Sequence, residues 1–187
     1  MKMKTQSINP FILFLYSIII TNMTHAQNNL LDITILNKCP WRMDIYNHNP
    51  INRNWDHICR QIPSQSECKF SLNQEIYNSG LIKNILGESA TLFEFSKNKN
   101  GIWYDISVIP PGSGNCYSWE ECFNKSKKKG FNDALNVLVD QSNSKWNSRC
   151  RNLFCRDERC NDAYLYPFDD LKTYFCNLNT KFRLEYC

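Results

Sequence analysis

The chain has 187 residues, 22 basic and 18 acidic side chains, a formal net charge of +4 and ten cysteines. A charge this small does not point to nucleic acid or an anionic membrane surface as a partner. Only His25, His48 and His57 are present, and there is no Cys-x-x-Cys pair. No zinc framework, other metal site or cofactor is therefore expected.

The N-terminus reads as a targeting segment. Met1 to Lys4 is basic, and Phe11 to Ile20 is an apolar run too short to span a bilayer. Thr24-His25-Ala26 resembles a small-residue cleavage site. Residues 1–26 are expected to be a secretory signal peptide, and residues 27–187 one secreted, extracellular domain without a membrane span. Without Lys2 and Lys4 the mature part keeps 20 basic and 18 acidic side chains, a net charge near +2. Its 161 residues suffice for one domain with a real core. All the cysteines lie in it: Cys39, Cys59, Cys68, Cys116, Cys122, Cys150, Cys155, Cys160, Cys176 and Cys187. An even count in a secreted chain implies disulfides.

In chain order, Leu31 to Tyr46 alternates well enough for one or two strands interrupted near Pro40. The Asn- and Pro-rich stretch from Asn47 to Trp55 reads as a loop. Cys59 and Cys68 bracket a short segment with Pro63 and Ser64, which suggests a local bridge closing a surface loop. Lys69 to Leu72 and Leu81 to Leu86 are short strands. Ser118-Trp119-Glu120-Glu121 has capping-box spacing and predicts a short helix between or just after Cys116 and Cys122. The basic run Lys125 to Lys129 reads as a solvated loop or an anion-binding patch, and Asn124-Lys125-Ser126 is a glycosylation sequon. Ala134 to Val139, Leu171 to Cys176 and Lys181 to Cys187 complete the predicted strands. Short strands with frequent turns and little helix give an all-β, disulfide-stapled antiparallel β-sandwich.

The most informative stretch is Thr91 to Ile109, which reads as a β-hairpin around Lys97-Asn98-Lys99-Asn100-Gly101. Thr91, Phe93 and Phe95 share one face with Ile102, Tyr104, Ile106 and Val108. Leu92, Glu94 and Ser96 share the other with Trp103, Asp105 and Ser107. A two-residue Asn100-Gly101 loop pairs Glu94 with Ser107; a four-residue loop from Asn98 to Gly101 pairs Glu94 with Asp105. Either register puts two carboxylates on one face within roughly 8 Å at Cβ. Such a face is either a solvated polar surface or an acidic cleft. Trp103 on it is either a rim residue packed on the next strand or an aromatic platform for a sugar.

Several segments together resemble the thaumatin-like (osmotin, pathogenesis-related group 5) family. These are Ile33 to Pro40, Thr91-Leu92-Phe93-Glu94-Phe95, Tyr104-Asp105-Ile106-Ser107, Gly130-Phe131-Asn132, Cys150 to Cys155, Cys160 to Asp170, and Phe182 to Cys187. They stand in the family's order over most of the mature chain. The resemblance implies a sandwich of about eleven antiparallel strands. It also implies the pairings Cys39–Cys187, Cys150–Cys176 and Cys155–Cys160, leaving Cys59–Cys68 and Cys116–Cys122 as local pairs. It further implies an acidic cleft, to which Glu94, Asp105 and Asp169 correspond. Leu81 stands at the family's arginine position and Pro110 at its remaining aspartate. Only Arg156 to Arg159 occupy the place of the second lobe of full-length members, and the Cys116–Cys122 segment is an insertion.

The function expected from the resemblance is binding of cell-wall β-1,3-glucan or another surface polysaccharide by a monomer, in defence or host–microbe contact. Glu94, Asp105, Asp169 and Trp103 would form the glycan-binding cleft. The alternatives are an endo-β-1,3-glucanase with Glu94 as acid and Asp105 or Asp169 as its partner, and a secreted effector or inhibitor acting by contact with a surface protein. A single-lobe surface is expected to leave the carboxylates solvated, which favours binding over hydrolysis.

Overall fold

The computed structural model describes residues 30–51, 53–73, 75–142 and 147–187. The proposed signal peptide lies outside these residues. Among the described residues, twelve strands form two sheets. The first has the order β4 (Ser66–Asn73), β1 (Leu30–Asn37), β12 (Lys181–Tyr186), β8 (Leu135–Asp140) and β9 (Leu153–Cys155). The second runs β10 (Ala163–Tyr164), β7 (Gly101–Ser107), β6 (Leu92–Asn98), β5 (Ser79–Lys83), β2 (Met43–His48) and β3 (Trp55–Ile62), with β11 (Tyr174–Asn177) also paired to β7.

The strands alternate because one face of each sheet is buried. In β1, Leu31, Ile33 and Ile35 are buried while their neighbours are partly exposed, the period-two pattern of a half-buried strand. The inner faces meet in one core. Phe93 of β6 and Tyr104 of β7 pack on Phe182 of β12, with ring centroids 5.4 and 5.0 Å apart.

Two pairings depart from the antiparallel expectation. β1 and β12 run parallel at the centre of the first sheet, and β10 runs parallel to β7. Parallel neighbours need a long connection, and for β1 and β12 almost the whole domain supplies it. Cys39–Cys187 joins the chain just beyond these two strands. Asn37 prepares the first end: its side chain accepts from the Cys39 amide and donates to the Trp41 and Ile62 carbonyls.

All ten cysteines are paired: Cys39–Cys187, Cys59–Cys68, Cys116–Cys122, Cys150–Cys176 and Cys155–Cys160. Cys59–Cys68 does more than close a surface loop. Cys59 lies on β3, at one edge of the second sheet, and Cys68 on β4, at one edge of the first, so the bridge clips the two edges together.

The insertion folds as the capping box predicts. Helix α1 (Trp119–Ser126) starts at Ser118, whose hydroxyl accepts from the Glu121 amide. The Glu121 carboxylate reaches back to the Tyr117 amide rather than to that of Ser118. Lys127 ends the helix in the left-handed conformation at φ 57°. The basic run is therefore partly helical, and three of its four lysines are matched by acids: Lys125 to Glu121, Lys128 to Glu88 and Lys129 to Glu158. Asn124 is exposed on α1. The helix leans on the short Cys155–Cys160 loop, where the Arg159 guanidinium sits 4.1 Å from the Trp119 ring centroid and pairs with Glu120.

The Cys39–Cys187 bridge closes a sequence separation of 148 residues. In the chain-entropy account such a bridge contributes about 5 kcal/mol. Replacing both cysteines by alanine is expected to lower unfolding stability by that order in urea titration, while non-reduced peptide mapping finds the other four bridges intact. An unchanged midpoint would mean that the β1–β12 pairing alone holds the ends.

Candidate functional site: an acidic cleft on the second sheet

The site is built by the register of the β6–β7 hairpin. Glu94 lies directly opposite Asp105, and Asn98 opposite Gly101, so the tip is Lys99-Asn100. The Asn98 side chain sets this tip by accepting from the amides of Asn100 and Gly101 at 2.8 and 3.1 Å, an Asx-turn. Gly101 is required by close approach: a Cβ there would stand 2.2 Å from the Cys176 carbonyl oxygen on β11.

Two cross-strand rows then share one face. The first is Leu81, Glu94 and Asp105 on β5, β6 and β7. The second is Ser79, Ser96, Trp103 and Phe175 on β5, β6, β7 and β11. All of them but Phe175 line a cleft of about 420 Å³. Across it, His48 and Arg53 come from the end of β2 and the loop before β3, and Thr173 from the residue before β11. The Thr173 hydroxyl is hydrogen-bonded to the Tyr164 phenol.

The carboxyls are desolvated, contrary to the expectation that an open single-lobe surface would leave them in water. Burial pushes the Glu94 carboxyl above the usual range, although its hydrogen bond with Asp105 pulls the other way. Burial, then the charge of Glu94, then the hydrogen bond to it push Asp105 up to about 8. Both shifts favour the protonated form, so the pair as a unit retains a proton towards neutral pH. Asp105 Oδ1 is buried and receives no donor from the rest of the protein. The physical cause lies in the rows themselves, since Leu81 and Trp103 flank the acids with apolar surface. Burial also raises the Tyr164 phenol; the Thr173 bond opposes this, and the charges of Asp105, Asp170 and Glu94 add to it.

Trp103 plays both parts considered for it. It packs on Phe175 with centroids 4.9 Å apart, under the Arg149 guanidinium, and it lines the cleft. Asp169 does not line the cleft. It is buried where the chain enters the 3₁₀-helix Asp170–Lys172, its amide donating to the Tyr166 carbonyl and its carbonyl accepting from Lys172. Arg53 and His48 were not evident from the sequence. Leu81 leaves the family's arginine position uncharged, and Arg53 brings a guanidinium to the cleft from a different loop. Only the fold, in which Arg53 before β3 lines the cleft, reveals it. Among the described residues, no cluster of three or more His, Cys, Asp or Glu side chains could hold a metal ion.

No family model matches the chain. Curated relatives do. The chain is 35% identical over 101 residues to "Thaumatin-like pathogenesis-related protein 4" of Avena sativa, across 54% of this chain and 43% of that protein. It is 31% identical over 97 residues to a "Thaumatin-like protein" of Oryza sativa subsp. japonica, across 52% and 40%. The fold matches the thaumatin-like xylanase inhibitor TLXI at a TM-score of 0.51 and 14% identity, over 83% of this chain and 98% of that one. The chain is thaumatin-like in sequence and in fold. The protein elicitor MoHrip2 of Magnaporthe oryzae gives the same TM-score at 12% identity, over 84% and 98%. The match thus covers less than half the length of these curated relatives, yet nearly all of these two solved structures.

The shared proton has a thermodynamic consequence. Both acids have folded-state pKa values above their unfolded ones, so the native state binds the extra proton. The stability it contributes is complete below about pH 4 and is lost as pH rises towards about 8. Asp105→Asn keeps a hydrogen-bond donor and has no proton to lose. Measured by chemical unfolding, the stability of the variant relative to wild type should rise across this window, by up to about 1.4 kcal/mol per pH unit. A difference that stays flat would mean that both acids titrate normally.

Proposed function

We propose that this thaumatin-like protein is secreted and binds a cell-wall β-1,3-glucan, or a related surface polysaccharide, in defence or host–microbe contact. The observation that carries the reading is the directly paired Glu94 and Asp105 beside Trp103. A proton-sharing carboxyl pair keeps its proton between the two acids and leaves charged carboxylate oxygen as an acceptor for sugar hydroxyls. Asp105 Oδ1 is buried without a donor, so the pair is desolvated beneath the cleft surface. Arg53 and His48 supply further polar groups across the cleft, and Trp103 an aromatic surface. The N-terminal basic and apolar segments, the five bridges and the exposed sequon at Asn124 support a secretory origin.

The same pairing disfavours hydrolysis. Two-carboxyl glycosidases hold their acids about 5 Å or more apart, so that sugar or water fits between them. Here the acids bond to each other, leaving no room for a scissile bond. A second reading, contact with a protein, draws on the two solved structures named as a xylanase inhibitor and an elicitor.

The test is co-sedimentation with insoluble β-1,3-glucan, with reducing-sugar release followed in parallel. Wild type should bind without releasing sugar. Glu94→Gln should weaken binding about tenfold, as expected when one charge-assisted hydrogen bond is lost, with far-UV circular dichroism unchanged. Wild-type binding should fall above about pH 8, where Asp105 loses its proton and the two carboxylates repel each other; Asp105→Asn, which keeps a donor towards Glu94, should bind at neutral pH and lose that fall. Wild-type affinity in Glu94→Gln would place the site elsewhere; sugar release lost in Glu94→Gln would make the protein a hydrolase.

A further inference from the structure

A second aromatic feature stands outside the acidic cleft, partly on the insertion. Tyr117, just before α1, stacks on Phe168 with ring centroids 5.0 Å apart and planes 20° apart. Tyr117 is 68% exposed and Phe168 47%. A ring covered on one face by its stacking neighbour, and still this exposed, has its other face bare. The pair is nonetheless held in place. Tyr117 follows Cys116 of the Cys116–Cys122 bridge, and its amide donates to the Glu121 carboxylate at 2.9 Å. Phe168 precedes the buried Asp169. Exposed aromatic surface on a fixed scaffold costs solvation and little further ordering on binding.

Its position links it to the cleft. Phe168 is five residues before Thr173, which lines the cleft. Five residues span at most about 18 Å when extended, and here Asp170–Lys172 are wound into a 3₁₀-helix, which shortens the reach. A few sugar units of an extended glycan cover that distance.

We propose that the Tyr117–Phe168 pair is a second subsite for the same polysaccharide, stacking the apolar face of one sugar ring while other sugars bond to Glu94 and Asp105. This rests on the glycan reading of the cleft. The surroundings favour a sugar over a protein partner. The residues around it in the chain include charges of both signs, Glu120, Asp170 and Lys172. The one large aliphatic nearby in the chain, Leu171, is 89% exposed; a protein interface would use it and a sugar platform would not.

The inference is tested by calorimetric titration with a short and a long β-1,3-linked gluco-oligosaccharide, a trisaccharide and a heptasaccharide. Wild type should bind the longer one about three- to tenfold more tightly, the scale of one aromatic contact. Tyr117→Ala and Phe168→Ala should abolish that gain and leave trisaccharide affinity unchanged. Phe168→Tyr, which keeps the stack, should retain the gain, as should Leu171→Ser. A gain that survives both alanine variants, or that is lost in Leu171→Ser, overturns the proposal and leaves the pair as a protein-docking surface. Trisaccharide binding that needs Glu94 but shows no gain with length sinks the platform alone. Absence of binding to either sugar removes the cleft reading along with it.

Discussion

The β6–β7 hairpin can hold only one register. Phe93, Phe95, Ile102, Tyr104 and Ile106 must all reach the core between the sheets, and a slip of one residue would turn each of them into water. The Asn98 turn fixes the tip, and the approach of β11 on Gly101 fixes the other edge of β7. That constraint is apolar in origin, yet its consequence is polar. With the turn at Asn98, the parity that fills the core sets Glu94 directly against Asp105 on the opposite face.

Like charges in direct cross-strand contact are unfavourable, and burial beside Leu81 and Trp103 makes them more so. The pair persists because the core on the other side of the sheet over-determines the backbone. A proton shared between the two acids relieves the repulsion without moving either strand. Strain of this kind, at a site whose geometry is fixed elsewhere, is how folds commonly hold reactive or binding groups ready. The surrounding clasps serve the same end. The Thr91 amide donates to the Asn132 side chain, and the Thr91 hydroxyl to the Asp133 carbonyl. Asp162 ties Arg151 and the Phe154 amide together. These contacts join segments far apart in sequence and keep the edges of the sandwich from drifting.

Parity along the hairpin was legible from residue types alone, because alternation with aromatic and β-branched residues leaves one solution for which face is buried. The segment from Ile33 to Pro40 was legible only through the family resemblance; the turn held by the Asn37 side chain comes from the structure. Other features depend on contacts that no local pattern encodes. Arg53 lines the cleft from a position outside any strand or helix, just before β3. Asp169 is drawn inward by the turn that opens the 3₁₀-helix. The clip between β3 and β4 gains its meaning only once those strands are known to edge different sheets. Desolvation of the acid pair was misjudged because it comes from cross-strand neighbours and not from a missing second lobe.

The central claim is that Glu94 and Asp105 share one proton at neutral pH and that this pair contacts the glycan. It is tested most directly by carbon-13 NMR titration of the two side-chain carboxyls across the neutral range, with and without a β-1,3-linked oligosaccharide. The account predicts that one carboxyl stays protonated up to about pH 8 and that its midpoint shifts when sugar is added. Two carboxyls that ionise in the ordinary acid range, or a midpoint indifferent to sugar, would contradict it.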